Sequence, residues 1–265
     1  MNGRVATLGD GADPHEDRIT LDGRPVSSEP PAYWILNKPR RVLTTVRDPE
    51  GRATVMDLVP ERKARIFPVG RLDRESEGLL LLTNDGELAQ ALLHPSRESP
   101  RVYRVTVKGR LSDASARRLE AGVRLEGGET TARARVGRRR HEAGRDRTTF
   151  TLTLIEGRKR QIRRSLLALG HRVVRLVRTR MGPLSLGRLP SGEARRLTPT
   201  EVAQLRRHAR NSRARPAREA DSERSGGSPP APRPGRPVKA RGRSRSGGRS
   251  SRGRDSGRDP SGRGW

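Results

Sequence analysis

Residues 70–86 read Gly-Arg-Leu-Asp-Arg-Glu-Ser-Glu-Gly-Leu-Leu-Leu-Leu-Thr-Asn-Asp-Gly, a polar loop that leads into an unbroken apolar run. Asp73 stands between Arg71 and Arg74. Neighbouring cations favour the ionised form of a carboxyl group. An ionised carboxylate at the edge of a rigid strand can act as a nucleophile or a base. A loop with this mixture of charges more often forms surface ion pairs, so these residues alone leave both interpretations open.

Around this loop, short apolar and β-branched runs predict strands, and segments with a period near 3.6 residues predict helices. Asn84 or Asp85 can cap the helix that follows the apolar run, and Asp113 can cap a later helix. The irregular interleaving favours an α+β domain around a mostly antiparallel sheet. The predicted strands are 33–36, 42–45, 79–83, 102–107, 132–136, 148–155 and 173–177. The predicted helices are 55–59, 87–93, 114–120, 159–169 and 200–208.

Two further segments carry residues suited to chemistry. Tyr103 alternates with Val102 along a predicted strand, so it is either a core tyrosine or a ring that stacks on a base and offers its hydroxyl to a proton. In segment 156–170, three cations are predicted to crowd the first turn of a helix, where the helix dipole disfavours them. Either the turn is simply solvated, or an anion such as an RNA phosphate or the Asp73 carboxylate sits there. The three cations are Arg158, Lys159 and Arg160.

The composition limits the class of protein. With 58 Lys and Arg against 30 Asp and Glu, the formal net charge is +28, which attracts a polyanion and makes nucleic acid the leading partner. No apolar run approaches 18 residues, so we expect no membrane association. The chain has no cysteine and five histidines without a ligand-like spacing, so no metal site is expected.

The sequence predicts three parts. Residues 1–29 contain a predicted hairpin, with a strand at 18–21 and a turn at Asp22-Gly23, followed by a linker. Residues 30–207 hold the strong apolar runs and form the predicted catalytic domain. Residues 208–265 are rich in Arg, Gly, Ser and Pro and are predicted to be a disordered basic tail, which either binds RNA without sequence preference or is a solvated extension.

Together these segments resemble the pseudouridine synthases that act on ribosomal RNA. The stretch 70–86 is similar to their catalytic motif, Leu36-Asn37-Lys38-Pro39 to their opening strand, and segment 156–164 to their third motif. Segments 48–55 and 176–184 are most similar to the branch that contains ribosomal large subunit pseudouridine synthase B. The resemblance covers about residues 32–207.

The resemblance implies the pseudouridine synthase fold and a role for several residues. Asp73 is expected to act on the target uridine, and Arg71 to replace the extruded base in the RNA stack. Tyr103 is expected to pack on the uracil and help move a proton, and Arg163 to pair with Asp73. The apolar pocket residues that it implies are Ile162 and Leu176. The residues expected to contact RNA, besides Arg71, are Arg158, Lys159, Arg160 and Arg164.

The expected partner is ribosomal RNA, more of the 23S than of the 16S type, and the expected state is a cytoplasmic monomer without a cofactor or metal. Residues 2–26 resemble the last part of the small RNA-binding domain shared with ribosomal protein S four. The helical first part of that domain is missing, so a truncated remnant is expected. The competing function is a non-catalytic RNA-binding factor of ribosome assembly with the same fold.

Overall fold

The structure is a computed structural model, and it describes residues 1–13, 16–26, 29–61, 63–94 and 99–211. In this part of the chain the strands are β1 Thr20–Leu21, β2 Arg24–Pro25, β3 Tyr33–Lys38, β4 Phe67–Pro68, β5 Glu77–Thr83, β6 Arg101–Lys108, β7 Arg135–Glu142, β8 Arg147–Leu154, β9 Val173–Met181, β10 Leu184–Ser185 and β11 Ala194–Arg196. The α-helices are α1 Gly86–Leu93, α2 Asp113–Ala121, α3 Gln161–Ala168 and α4 Pro199–Asn211. Short 3-10 helices span Val55–Leu58 and Ala143–Arg145.

Nine of these described strands form one mixed sheet. Its main path runs β11-β3-β5-β9-β6-β8-β7, while β4 pairs with β5 and β10 pairs with β9. The β5–β9 pair is parallel, and the other pairs along the path are antiparallel. The predicted α+β class with a mostly antiparallel sheet is therefore confirmed. Strands β1 and β2 form the predicted hairpin as a separate two-stranded sheet.

The two faces of the large sheet are covered differently. We call the face that carries Tyr103 and its neighbours Val105 and Leu176 the front face; alternation along each strand sends the other side chains to the back face. Helices α2 and α3 cover the front of β6, β8 and β9 through one apolar cluster. Helices α1 and α4 cover the back of β3 and β5 through another. A third cluster lies in front of β3 and β5 and includes Trp34, Leu36, Val55 and Leu80.

Helix starts follow local capping chemistry, with one difference from the prediction. Asp85 caps α1, as expected, by accepting a hydrogen bond from the Leu88 amide at 2.9 Å. Helix α2 is capped by Ser112, whose hydroxyl accepts from the Ser115 amide at 3.1 Å, and the expected cap Asp113 is the first helical residue. Asp113 instead forms an ion pair at 2.6 Å with Arg139 of β7, so its carboxylate contacts the sheet and does not cap the helix.

Several predicted segments differ from the structure. Segment 42–45 is not a strand, because its backbone bonds are made to 53–55 and give only an isolated bridge. The strand predicted at 132–136 starts later, at Arg135. Helix α4 runs to Asn211, past the predicted domain boundary at 207, because its face includes the buried Ala209. The rest of the predicted tail, 212–265, lies outside the described residues. No helix of the described part is long and apolar enough to cross a bilayer.

Candidate active site

The loop that carries Asp73 is fixed by its own backbone and by a neighbouring hydroxyl group. The Ser76 amide donates to the Asp73 carbonyl at 2.9 Å and closes a turn just before β5. The Thr44 hydroxyl donates to the Leu72 carbonyl at 2.8 Å, and the Leu72 amide donates back to that hydroxyl at 3.4 Å. The segment around Thr44, which the sequence predicts to be a strand, therefore stabilises this loop through hydrogen bonds.

A buried ammonium group supports the same loop from below. Lys38, at the end of β3, is 0% exposed. Its Nζ donates to the carbonyls of Pro39 at 2.9 Å, Ser76 at 3.0 Å and Arg74 at 3.4 Å. Burial lowers the Lys38 pKa from 10.5 to about 8, although attraction by Glu75, Asp73 and a third acid partly opposes this. Sequence analysis missed this role, although Trp34, Leu36 and Lys38 share one strand face and so indicate an inward lysine.

Arg163 of α3 approaches the loop from the front face. Its Nη2 donates to the Glu75 carbonyl at 2.9 Å, and its Nη1 contacts the Val173 carbonyl at 3.5 Å. Burial, and then repulsion by Arg160, lower the Arg163 pKa, while attraction by Asp73 raises it. The expected direct pair with Asp73 is not formed within the described residues, because the guanidinium is bonded to backbone carbonyls. Arg163 thus acts on Asp73 through space.

The carboxylate of Asp73 is half-buried and is left without an ion pair or side-chain hydrogen bond to any described residue. Next to it, Leu72 belongs to the same apolar cluster as Tyr103, Ile162 and Leu176. The structure therefore places the predicted pocket residues in one cluster, which also contains the residue that precedes the acid. The Tyr103 ring is 8% exposed, but its hydroxyl has no described protein partner and is not sealed from solvent.

The predicted RNA-binding cations divide into two groups. Arg158 and Arg164 are ion-paired with Glu129, at 3.3 and 2.6 Å, and Arg158 also pairs with Glu156 at 3.0 Å. The side chains of the remaining three are exposed and make no hydrogen bond or ion pair to a described residue. These three are Arg71, Lys159 and Arg160. Acidic neighbours thus neutralise two of the five predicted contacts.

The third motif begins its helix later than predicted. Helix α3 starts at Gln161, so Arg158, Lys159 and Arg160 precede its first turn instead of occupying it. Arg160 is the N-cap and has a left-handed backbone with φ of 52°, which is unfavourable for a residue with a side chain. The Gln161 side-chain oxygen accepts from the Arg158 amide at 3.1 Å and holds the bend.

A second buried cation and a glycine set the spacing between β5 and β9. Arg178 is 2% exposed; its Nε donates to the Leu79 carbonyl at 2.8 Å, and its Nη2 is buried without a partner in the described part. Gly78 has φ of 104°, and a Cβ there would lie 2.3 Å from the Arg178 carbonyl oxygen. Only glycine fits this close approach, which explains the residue that separates the acidic loop from the leucine run.

The chemical groups of the site are one carboxylate, one phenol and buried cations. A carboxylate can attack or take up a proton, and a solvent-accessible phenol can transfer one. The described residues contain no group of three or more His, Cys, Asp and Glu side chains placed to hold a metal ion. The apolar wall beside Asp73 is suited to a flat, uncharged ring.

Comparison with known proteins agrees with this geometry. The RNA pseudouridylate synthase family matches residues 32–168. An RNA pseudouridine synthase of Aquifex aeolicus is 42% identical over 207 residues, which are 77% of this chain and 82% of that protein. Ribosomal large subunit pseudouridine synthase B of Bacillus subtilis is 42% identical over 206 residues, which are 78% of this chain and 84% of that protein.

A solved structure supports the fold independently. The crystal structure of a pseudouridylate synthase superposes with a TM-score of 0.61 at 28% sequence identity, and covers 77% of this chain and 86% of that one. The predicted pseudouridine synthase fold is therefore confirmed.

Proposed function

Because the chain belongs to the RNA pseudouridylate synthase family, we propose that it converts a uridine of large-subunit ribosomal RNA into pseudouridine, with Asp73 as the catalytic carboxylate. Membership makes the chain an isomerase that acts on RNA. The proposal for Asp73 rests on its half-buried carboxylate. This carboxylate attracts Lys38 and Arg163 through space but forms no ion pair with a described residue. A carboxylate without such a partner stays accessible to a base placed against the Tyr103 cluster.

The neighbouring residues then take distinct roles. The target uridine leaves its helix at an unstacking cost of a few kcal/mol, and the exposed Arg71 guanidinium fills the gap in the RNA stack. The uracil lies on the wall formed by Tyr103, Ile162 and Leu176. Asp73 promotes cleavage of the N-glycosidic bond, the ring rotates, and carbon 5 joins the ribose. The Tyr103 hydroxyl assists the proton transfer, and Arg163 holds the backbone of the loop that carries Asp73.

The exposed part of the third motif supplies the RNA contacts. Lys159 and Arg160 hold RNA phosphates beside the pocket, because they carry no acidic partner among the described residues. Arg158 and Arg164 contribute less, since Glu129 already neutralises part of their charge. A 23S substrate is favoured over 16S by the similarity to a large-subunit enzyme at 42% identity.

We extend the proposal to the state of the whole chain. The protein acts as a monomer in the cytoplasm, where ribosomal RNA is found. The large apolar side chains that the folded domain exposes lie on separate helices and loops, which supports the monomer. These are Val46, Leu93, Ile155 and Leu167. Residues 1–29 contribute to RNA binding, and the tail that follows α4 adds RNA affinity without sequence preference.

Asp73→Asn tests the proposal because it removes the charge and keeps the shape of the side chain. The assay is single-turnover pseudouridine formation on 23S and 16S transcripts. We expect the wild-type protein to modify the 23S transcript and the variant to form no product, with RNA binding and unfolding free energy retained. A variant that keeps its rate would exclude Asp73 as the catalytic group. A wild-type protein that binds RNA without modifying it would instead support the non-catalytic assembly factor.

A further inference from the structure

The back face of strands β6, β8 and β7 has no covering layer. Antiparallel partners point to the same face, so the register defines rows of side chains across these strands. One row joins Arg104 to Thr151, another joins Thr106 to Thr149 and Arg140, and a third joins Val102 to Thr153 and Arg135. All of these side chains are exposed or half-buried, so no described element packs on them.

This face is basic and lacks acidic partners. Five of its cations make no hydrogen bond and no ion pair to any described residue. These are Arg104, Lys108, Arg135, Arg140 and Arg147. Two acids of the described part lie on this face. Glu77 is already ion-paired with Arg175 at 2.8 Å, and Glu142 is the strand partner of Arg147. We call the five cations and the threonines between them the basic back face.

The layout of the basic back face suits an extended polyanion. Arg104 and Lys108 are four residues apart on one strand, which is roughly 13 Å, and β7 lies two strand spacings away, which is roughly 10 Å. Between the cations stand Thr149, Thr151 and Thr153, and hydroxyl groups are common donors to phosphates. Like charges held on a sheet repel one another unless an anion neutralises them. Five unpaired cations therefore indicate an anionic ligand of similar extent.

We propose that the basic back face is a second RNA-binding surface, which holds the sugar-phosphate backbone of a double-stranded RNA segment. No aromatic residue lies in its rows, so it offers no platform for stacking single-stranded bases. Its donors are sequence-independent phosphate ligands. An acidic protein is the alternative partner. The threonine and arginine mixture, on a chain whose family acts on RNA, favours the nucleic acid.

The surface is separate from the catalytic pocket. Tyr103 and Arg104 are consecutive residues of β6, and their side chains leave opposite faces of the sheet. The uridine and the duplex therefore contact the two sides of one strand. An RNA that bends around the β7 edge reaches both, and the back-face duplex anchors a large folded substrate while the pocket receives a single nucleotide.

Two triple variants of the full chain test the proposal. The first is Arg104→Gln, Lys108→Gln and Arg140→Gln on the basic back face. The matched control is Arg110→Gln, Arg117→Gln and Arg118→Gln, which removes three exposed cations elsewhere. Binding is measured with a 20-base-pair RNA duplex of arbitrary sequence at several salt concentrations. Pseudouridine formation on a 23S transcript is measured at saturating enzyme.

We expect the back-face variant to bind the duplex at least about tenfold more weakly at moderate salt. Each lost phosphate contact lowers the slope of log affinity against log salt by about 0.7–0.9, so the slope should fall by about 2–3. The control should change both quantities much less, and the saturated rate should persist. Unchanged duplex affinity, as expected if an acidic protein is the partner, overturns the inference, and so does an equal loss in the control. Absence of product from the wild-type protein would count against the proposed function and leave this binding result intact.

Discussion

The buried ammonium of Lys38 makes a pH-dependent contribution to stability that can be isolated by Lys38→Met. This substitution keeps most of the length of the side chain and removes its charge and its three donated hydrogen bonds. Those bonds end on the carbonyls of Pro39, Arg74 and Ser76, two of which belong to the loop that carries Asp73. The variant therefore separates the cost of burying a charge from the benefit of holding that loop.

The magnitude follows from the two pKa values of Lys38. In the unfolded chain the group titrates near 10.5, and in the folded protein near 8. This difference corresponds to about 3 kcal/mol. Between the two values the unfolded state holds more protons, so the free energy of unfolding rises with pH. Below the folded pKa of about 8 both states are protonated and the full cost is present; above 10.5 the cost has disappeared.

The assay is urea unfolding of the wild-type protein and of Lys38→Met at a series of pH values from about 7 to 10. The free energy of the wild type minus that of the variant should increase by about 2.5 kcal/mol over this range, because the variant lacks the titration. Lys108→Met, at an exposed lysine, is the control and should give a flat difference. A flat difference for Lys38→Met as well would refute the reasoning, since it would mean that the ammonium is solvated.

Two further predictions concern the backbone around the site and a helix end. Gly78→Ala should lower the free energy of unfolding by more than about 3 kcal/mol, because the new Cβ would lie 2.3 Å from the Arg178 carbonyl oxygen. The control Gly109→Ala, at a glycine with φ of 78° and no atom within 4 Å of the new Cβ, should lower it by about 1–2 kcal/mol. Equal losses in the two variants would contradict the clash at Gly78. Ser112→Ala should lower the free energy of unfolding by about 1 kcal/mol through loss of the α2 cap. Asp113→Ala should lower it by less than Ser112→Ala does, since the Asp113 ion pair is exposed; thermal unfolding that reversed this order would restore Asp113 as the cap.

The residue pattern within one strand or helix was sufficient to predict those features of the structure that depend only on neighbouring residues. The unbroken apolar run predicted strand β5, which the structure shows to be buried along its whole length, and alternation placed Tyr103 on the opposite face from Val102. The same rule also identifies the outward rows of β6 and β8. These features follow from the two-residue period of a strand, which depends on no distant residue.

Features that depend on distant partners could not be predicted from local pattern. The β-branched segment around Thr44 resembles a strand, but its hydroxyl and amide partners come from Leu72 and from 53–55, which sequence spacing does not reveal. Arg160 adopts a left-handed backbone because Gln161 and the chain before it impose a bend. Arg163 was expected to pair with the carboxylate of Asp73, and its choice of the Glu75 carbonyl is set by the position of α3 against the loop.

The way in which cations hold the loop explains how the Asp73 carboxylate can lie near positive charge and still be available to a substrate. Lys38 and Arg163 donate to the carbonyls of Arg74, Glu75 and Ser76, and so their hydrogen bonds stabilise the backbone. Their charges still attract Asp73 through space. A direct bidentate ion pair would fix the carboxylate more tightly, but it would occupy the oxygens that a substrate must reach. Backbone anchoring separates the two tasks, at the cost of burying the Lys38 ammonium fully and the Arg163 guanidinium partly.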